Sequence, residues 1–511
     1  MNLKSLVFIL LAAAAPCVRA EVRLPRLFSD HMVLQRDAPI HVWGWAEPGE
    51  AVSAAMNGAT QTATADRLGH WSVYLPAMPA GGPFELKVAG KNTVQFTDIL
   101  MGDVWFASGQ SNMEIPLIGF PGSAVINHAE EEIAQANHPN IRLFLVKKKA
   151  SDYPLNDFAD EASWSVCSPE TVRKFSAVAY FFGRNLAESE HVPIGLIDST
   201  WGGTPAAAWV SLEGLASDPA LMPEFADRAR MVATQADIPA LLAAEKREDA
   251  AAKQANTPAP AHAWHPDPAS WGPAALFNGM VAPAVPFGIK GAIWYQGESD
   301  TTVPLAPLYE KAFTGLIQDW RRQWRQGDFP FFFVQIANFK GGSTALWPVV
   351  REAQRRTLAL KNTAMAVTID VGEPTNIHPA DKQTVSARLS VAARAIAYGV
   401  SVEYSSPAFR QTSVENNVRF GWFNTTEIIA KEGLRLWFDH AGGLMAKDGA
   451  PQGFEIAGHD RNFLPGTARI DGQSIVVANP AITNPEYVRY GWANAPTLNL
   501  YNSAGLPMSP F

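Results

Sequence analysis

Five places in this chain carry hydroxyl, imidazole, carboxylate or amide side chains, four of them beside glycine or proline. They are Ser-Gly-Gln-Ser-Asn (108–112), Asp-Ser-Thr-Trp-Gly-Gly (198–203), Gln-Gly-Glu-Ser-Asp (296–300), Asn338, and Asp-Val-Gly-Glu-Pro-Thr-Asn-Ile-His-Pro (370–379). These residue types suit acyl transfer. A serine hydroxyl is a weak nucleophile until a neighbouring base takes its proton. Ser111, on a small polar turn after the apolar run Val104–Ala107, is the candidate nucleophile. His378 is the candidate base, since Gly372 and Pro374 shape its approach and Pro379 sits where a helix would begin. Donors must also face the oxygen on which negative charge develops. The backbone amides of Ser111 and of Gly202-Gly203, and the side chain of Gln296, are the candidates. For the acid that orients His378, Asp370 at the close of its strand is favoured and Glu298 stands second. Asp381, in a first helical turn, is better explained by compensation of the helix dipole. Each stretch alone also fits an ordinary turn, so the chemistry depends on all of them meeting at one rim.

Other chemistries fit poorly. Cys167-Ser-Pro-Glu-Thr171 is similar to a sulfatase signature, but Thr171 stands where arginine is required. His128-Ala-Glu-Glu-Glu lacks the second histidine of a zinc helix, and His262 and His265 fall in a Pro-rich loop. Neither a Gly-x-Ser-x-Gly elbow nor a phosphate-binding glycine loop occurs at a strand–helix junction. The expectation is a site without metal or cofactor.

The elements that must position these residues alternate. Val104–Ala107, Ile194–Ile197, Ala292–Tyr295, Phe331–Ile336 and Ala364–Ile369 read as buried parallel strands. Helical patterns lie between and after them, over Val178–Glu188, Leu308–Trp324, Val349–Leu360 and Lys382–Tyr398. Such alternation predicts a doubly wound α/β sheet, in which ligands bind beyond the carboxyl ends of the strands. Residues 21–100 predict a small β-sandwich, with short strands such as Phe84–Val88 separated by Asp-Ala-Pro, Glu-Pro-Gly-Glu and Asn-Gly turns. The α/β domain then spans 101–400, interrupted by an insertion at 211–275 that is first helical and then Pro-rich. A second β-rich region occupies 401–511.

Bulk properties narrow the partners. The 511 residues are 47% hydrophobic and 18% charged, which is ordinary for a folded chain of two or three domains. Lys4, the apolar run Leu6–Ala15 and Val18-Arg19-Ala20 predict a cleavable secretory signal over residues 1–20, and hence a periplasmic or secreted protein. Cleavage would remove two basic residues and no acid, taking the net charge from −8 to −10. An acidic chain without a basic stripe is not expected to bind nucleic acid. No later run is long enough to predict a membrane span. Of the two cysteines, Cys17 leaves with the signal, so no internal disulfide is expected.

The assembled motifs are recognisable. Gly109-Gln-Ser-Asn-Met113, Ile197-Asp-Ser-Thr-Trp-Gly-Gly-Thr-Pro205, Phe277-Asn-Gly-Met280, Ile293-Trp-Tyr-Gln-Gly-Glu-Ser-Asp300 and Ile377-His-Pro-Ala-Asp-Lys382 carry the likeness. So do Phe28-Ser-Asp-His-Met-Val-Leu-Gln35, Val488-Arg-Tyr-Gly-Trp492 and Asn499-Leu-Tyr-Asn502. The chain resembles the sialate O-acetylesterase family of SGNH-type carbohydrate esterases over nearly its whole mature length. The resemblance implies an SGNH-hydrolase-like α/β/α parallel sheet with β-rich accessory regions, and removal of acetyl groups from glycans or oligosaccharides. It carries Ser111 over as nucleophile and His378 as base, puts Gln296 where such enzymes place an oxyanion-hole Asn, and fills the glycine block with Gly202 or Gly203. Many relatives have Asp three residues before the histidine. Here that residue is Thr375, which leaves the acid between Asp370 and Glu298. Trp201, and with less reason Trp294, would offer an apolar face to the sugar. Acetylated xylan or xyloglucan fragments are the alternative substrates within this fold, and a non-catalytic carbohydrate-binding protein is the alternative outside enzymes.

Overall fold

The computed structural model describes residues 21–511 except 121, 159–160, 235–236, 261, 263–264, 266, 343 and 421–429. The expected signal over 1–20 lies outside the described residues. Seven strands form the sheet that carries the site: β1 (Thr93–Gly109), β2 (His138–Leu145), β3 (Trp164–Cys167), β4 (Ile194–Thr200), β5 (Gly291–Tyr295), β6 (Phe331–Val334) and β7 (Thr363–Ala366). Their order is β7-β6-β5-β1-β4-β2-β3, parallel except for the β2–β3 pair. Parallel strands covered on both faces are apolar at nearly every position, and all five residues of β5 are buried.

Alternate side chains feed two layers. Trp105 and Ala107 of β1 pack with helices α2 (Ala177–Glu190) and α5 (Lys382–Ala397), while Val104 and Phe106 pack with α3 (Tyr309–Trp324) and α4 (Trp347–Thr357). A four-residue helix, α1 (Ser111–Glu114), follows β1 directly. The result is the expected α/β/α sandwich. Ser176 caps α2, and Asp381 caps α5 by accepting the Thr384 N–H. Two strands stop earlier than their apolar runs: β6 ends at Val334 because the Ile336 N–H leaves the ladder for Gln354 Oε1, and β7 ends at Ala366.

The expected border at residue 100 falls inside a single strand. The first half of β1 pairs with Gly81–Ala89 and Val33–Gln35 of the N-terminal β region, and its second half pairs with β4 and β5. The insertion is helical over Met222–Thr234 and Ile238–Gln254. At the C-terminus a four-stranded antiparallel sheet packs its own core around Leu436, Phe438, Ile475, Tyr490 and Phe511. Arg351 of α4, fully buried, ties this region to the main sheet by donating to the carbonyls of Ala493 and Asn494 as well as Ile336 and Ala337. Among the described residues no helix is long and apolar enough to cross a membrane.

Candidate active site

The register of the three central strands sets the site. Gly109 ends β1 opposite Thr200 on one side and Tyr295 on the other, so the turns after β1, β4 and β5 leave the sheet at one level. Gly109 has φ +139°, and a Cβ there would lie 2.2 Å from the Tyr295 carbonyl oxygen, so this step requires glycine. Gln110 follows and staples two turns together. Its Oε1 accepts the N–H groups of Gly297 and Ser299, each at 3.2 Å. Ser111 then opens α1.

His378 reaches this turn from 267 residues further along the chain, with Nε2 2.9 Å from Ser111 Oγ. Its loop is held from within. Glu373 accepts from Asn376 Nδ2 at 3.1 Å and from the Ala380 N–H at 3.0 Å, and Asn376 Oδ1 accepts the His378 N–H at 3.0 Å. Burial, followed by the Lys382 ammonium, pushes the imidazole pKa down to about 4. The ring is therefore neutral at neutral pH. With its proton on Nδ1, Nε2 accepts from the serine hydroxyl, as a general base requires.

The structure does not bring Asp370 to His378. Both Asp370 oxygens are 2.7 Å from the guanidinium of Arg388, a bidentate pair that fixes the carboxylate elsewhere. Glu298 lies closer to the nucleophile turn: its Oε1 accepts from Asn112 Nδ2 at 2.6 Å, and its buried Oε2 has no partner. No carboxylate forms a hydrogen bond to the His378 side chain among the described residues.

Of the expected donors, Gly202 lies beside Ser111, with its N–H engaged by a carboxylate. A Cβ on it would lie 3.2 Å from Ser111 Cβ, so its backbone runs against the nucleophile. Its N–H donates to the Glu114 carboxylate, which also pairs with Lys148, and the Lys148 ammonium stands 5.7 Å from the centre of the half-buried Trp201 ring. Gly203 turns with φ +72°, and its carbonyl accepts from Trp271 Nε1, which brings the end of the insertion to the rim.

Gln296 is a correction. Both of its amide hydrogens are spent, one on the Thr204 carbonyl at 3.0 Å and one on the Asp300 carboxylate, and its oxygen accepts from Tyr309 Oη. It is fully buried, and buried polar groups satisfy one another in this way. No donor of Gln296 faces an oxyanion. Trp294 is not at the rim either, because it is buried among Trp209, Phe313 and Trp320. Asn338 is a tie between loops, donating to Ile369 O and Pro496 O.

Two residues beside the pair went unread as functional. Asn112 donates to Ile377 O as well as to Glu298, and the buried Lys382 ammonium donates to Asn112 Oδ1 at 2.6 Å. Both lie inside the motifs quoted above, and their adjacency to Ser111 and His378 was the available signal. Among the described residues no cluster of three or more His, Cys, Asp or Glu side chains is arranged to hold a metal ion.

Known proteins resemble this chain in sequence and fold. The sequence model of a family described as carbohydrate esterase, sialic acid-specific acetylesterase, matches residues 261–395. A carbohydrate acetylesterase from Xanthomonas citri, known from its crystal structure, is 37% identical, with a TM-score of 0.79 over 96% of this chain and 99% of its own. The sialate O-acetylesterase of Pongo abelii is 31% identical over 74% of this chain and 71% of its own length, and that of Mus musculus 29% over 99% and 97%. Fold and likeness together define the class as a carbohydrate esterase, which hydrolyses acetyl esters on sugars. The chain belongs to the sialate O-acetylesterase family.

Proposed function

We propose that the chain is an exported serine esterase that removes O-acetyl groups from sialic acids through Ser111 and His378. His378 Nε2 takes the hydroxyl proton as Ser111 Oγ attacks the acetyl carbonyl carbon. The backbone amide of Ser111 receives the oxyanion. The amide of Gly202 joins it when the substrate carbonyl displaces the Glu114 carboxylate, whose second partner, Lys148, still holds it. The intermediate collapses, His378 returns the proton to the departing sugar oxygen, and water activated by the same imidazole releases acetate from Ser111. The observation that carries this reading is the 2.9 Å contact between Ser111 Oγ and His378 Nε2.

Ser111→Ala and His378→Ala are each expected to lower acetate release by at least about 10³-fold. Wild-type turnover by Ser111→Ala would sink the assignment. The sialate reading is supported by what the family and its curated members are named for. A panel of acetylated sialic acids, xylo-oligosaccharides and xyloglucan fragments tests it, and preference for either plant-type substrate would replace it. In this reading Trp201, and Trp271 at the end of the insertion, meet the sugar; their closeness to the Gly202-Gly203 turn supports it. Export rests on the pattern of residues 1–20, and a recovered protein that begins at Met1 instead of Glu21 would refute it.

A further inference from the structure

A serine esterase normally has a third residue that holds its histidine, and here no carboxylate does so. A different device lies directly beneath the pair. Asn112, the neighbour of the nucleophile, is 1% exposed and uses its whole amide. Nδ2 donates to Glu298 Oε1 at 2.6 Å and to Ile377 O at 3.0 Å, while Oδ1 accepts from Lys382 Nζ at 2.6 Å. Lysine can only donate and a backbone carbonyl can only accept, so the amide has one possible orientation.

Ile377 is the residue before the base. Asn112 therefore ties the turn that presents Ser111 to the peptide that presents His378, and Asn376 Oδ1 holds the same histidine from its own N–H. Two buried groups of opposite charge clamp the amide: Lys382 is 1% and Glu298 7% exposed. A buried ammonium and a buried carboxylate are costly apart, and the amide between them bridges both. Its position is thus set by groups on β5's exit turn, on the first turn of α5 and on the His378 loop at once.

We infer that Asn112, held between Lys382 and Glu298, is a positioning residue that aligns His378 with Ser111 in place of a triad acid. This inference rests on the Ser111–His378 reading. Asn112 does not touch the reacting atoms. It acts by keeping two chain segments in register, and misplacement of a reacting group by about 1 Å costs on the order of 10²-fold in rate.

The test uses the full mature chain with an aryl acetate and with an acetylated sugar, and Ser111→Ala in parallel. Asn112→Asp keeps the shape and the acceptor for Lys382 but loses both donors. Asn112→Ala loses all three bonds. Each is expected to lower kcat by about 10²-fold with KM within about twofold of wild type. Near-UV circular dichroism counts the folded fraction, so a purely structural role would appear as lost signal with normal kcat per folded molecule, and that result would overturn the inference.

Lys382→Met loosens the clamp while leaving Asn112 itself intact, and it adds a second readout. The titratable groups that face Lys382 are His378, Glu298, Glu373, Asp381 and Tyr295, whose ring centre stands 5.5 Å from Nζ. Removing the ammonium is expected to lower kcat and to move the acid limb of kcat/KM to higher pH, because burial first and the Lys382 ammonium second hold the imidazole pKa down, and only the second is removed. An unchanged limb and unchanged kcat would also overturn it. If Ser111→Ala is inactive while the Asn112 and Lys382 variants behave as wild type, this inference alone falls. If Ser111→Ala is active, the underlying assignment falls with it.

Discussion

Ser111 and His378 were readable as residue types because a serine after a buried strand and a histidine on a Gly- and Pro-shaped loop suggest few alternatives. The remaining roles depend on which bonds a side chain has already made, and sequence does not display that. Gln296 sits at a strand end with the right chemistry, yet Thr204, Asp300 and Tyr309 use its entire amide. Asp370 has the right chemistry too, but Arg388, 18 residues later, claims it. Lys382 is not legible as a site residue because a lysine in the first turn of a helix normally reaches solvent, whereas here burial pushes its pKa down to about 7 against the opposing pull of three flanking carboxylates. At this scale a pH dependence follows. His378, depressed to about 4, stays neutral well below the ordinary histidine value of 6.5. The acid limb of kcat/KM is expected below that value, and a limb at or above 6.5 would contradict the burial of the ring. Stability carries the same sign: as pH falls from 6.5 towards 4, the unfolded chain takes up a proton that folded His378 refuses, so folding weakens.

Among the elements, strands that read as continuous apolar runs were placed correctly, as were the helices, because a buried parallel sheet leaves little choice of residue. The far edge was not seen. β2 carries a charged residue, Arg142, whose guanidinium is neutralised by Asp98 from β1, so its alternation is broken in sequence but not in space. The most consequential contact between elements is also hidden. Arg351 of α4 is fully buried, and it donates to four carbonyls and to Asn338 Oδ1, with no ion pair to a carboxylate among the described residues. Burial pushes its pKa down to about 9. Arg351→Met would strand several buried acceptors, each costing about 1–3 kcal/mol. A loss of about 3 kcal/mol or more is expected in urea unfolding, with Arg351→Lys too short in reach and too poor in donors to restore it. A variant as stable as wild type would show that the C-terminal region is held by other contacts.

Over the whole molecule, β1 joins what sequence composition separates. The change from short punctuated strands to strand–helix alternation marks a true change of architecture, but it gives no sign that one strand crosses the change. Residues 93–101 pair with Gly81–Ala89, 100–102 with Val33–Gln35, and 103–109 with β4. A chain started at residue 101 would lose half of that ladder. It is expected to be insoluble or inactive when expressed alone, as judged by yield and by turnover of an aryl acetate. A soluble, active fragment would show the N-terminal strands to be dispensable.

The same strand ends at Gly109, two residues before the nucleophile. No position along its length can be cut or spliced without opening a ladder on one side or the other. A module boundary drawn at this junction would therefore break hydrogen-bonded pairing on the way to the nucleophile, so the outer sheet and the turn that carries Ser111 form one mechanical unit.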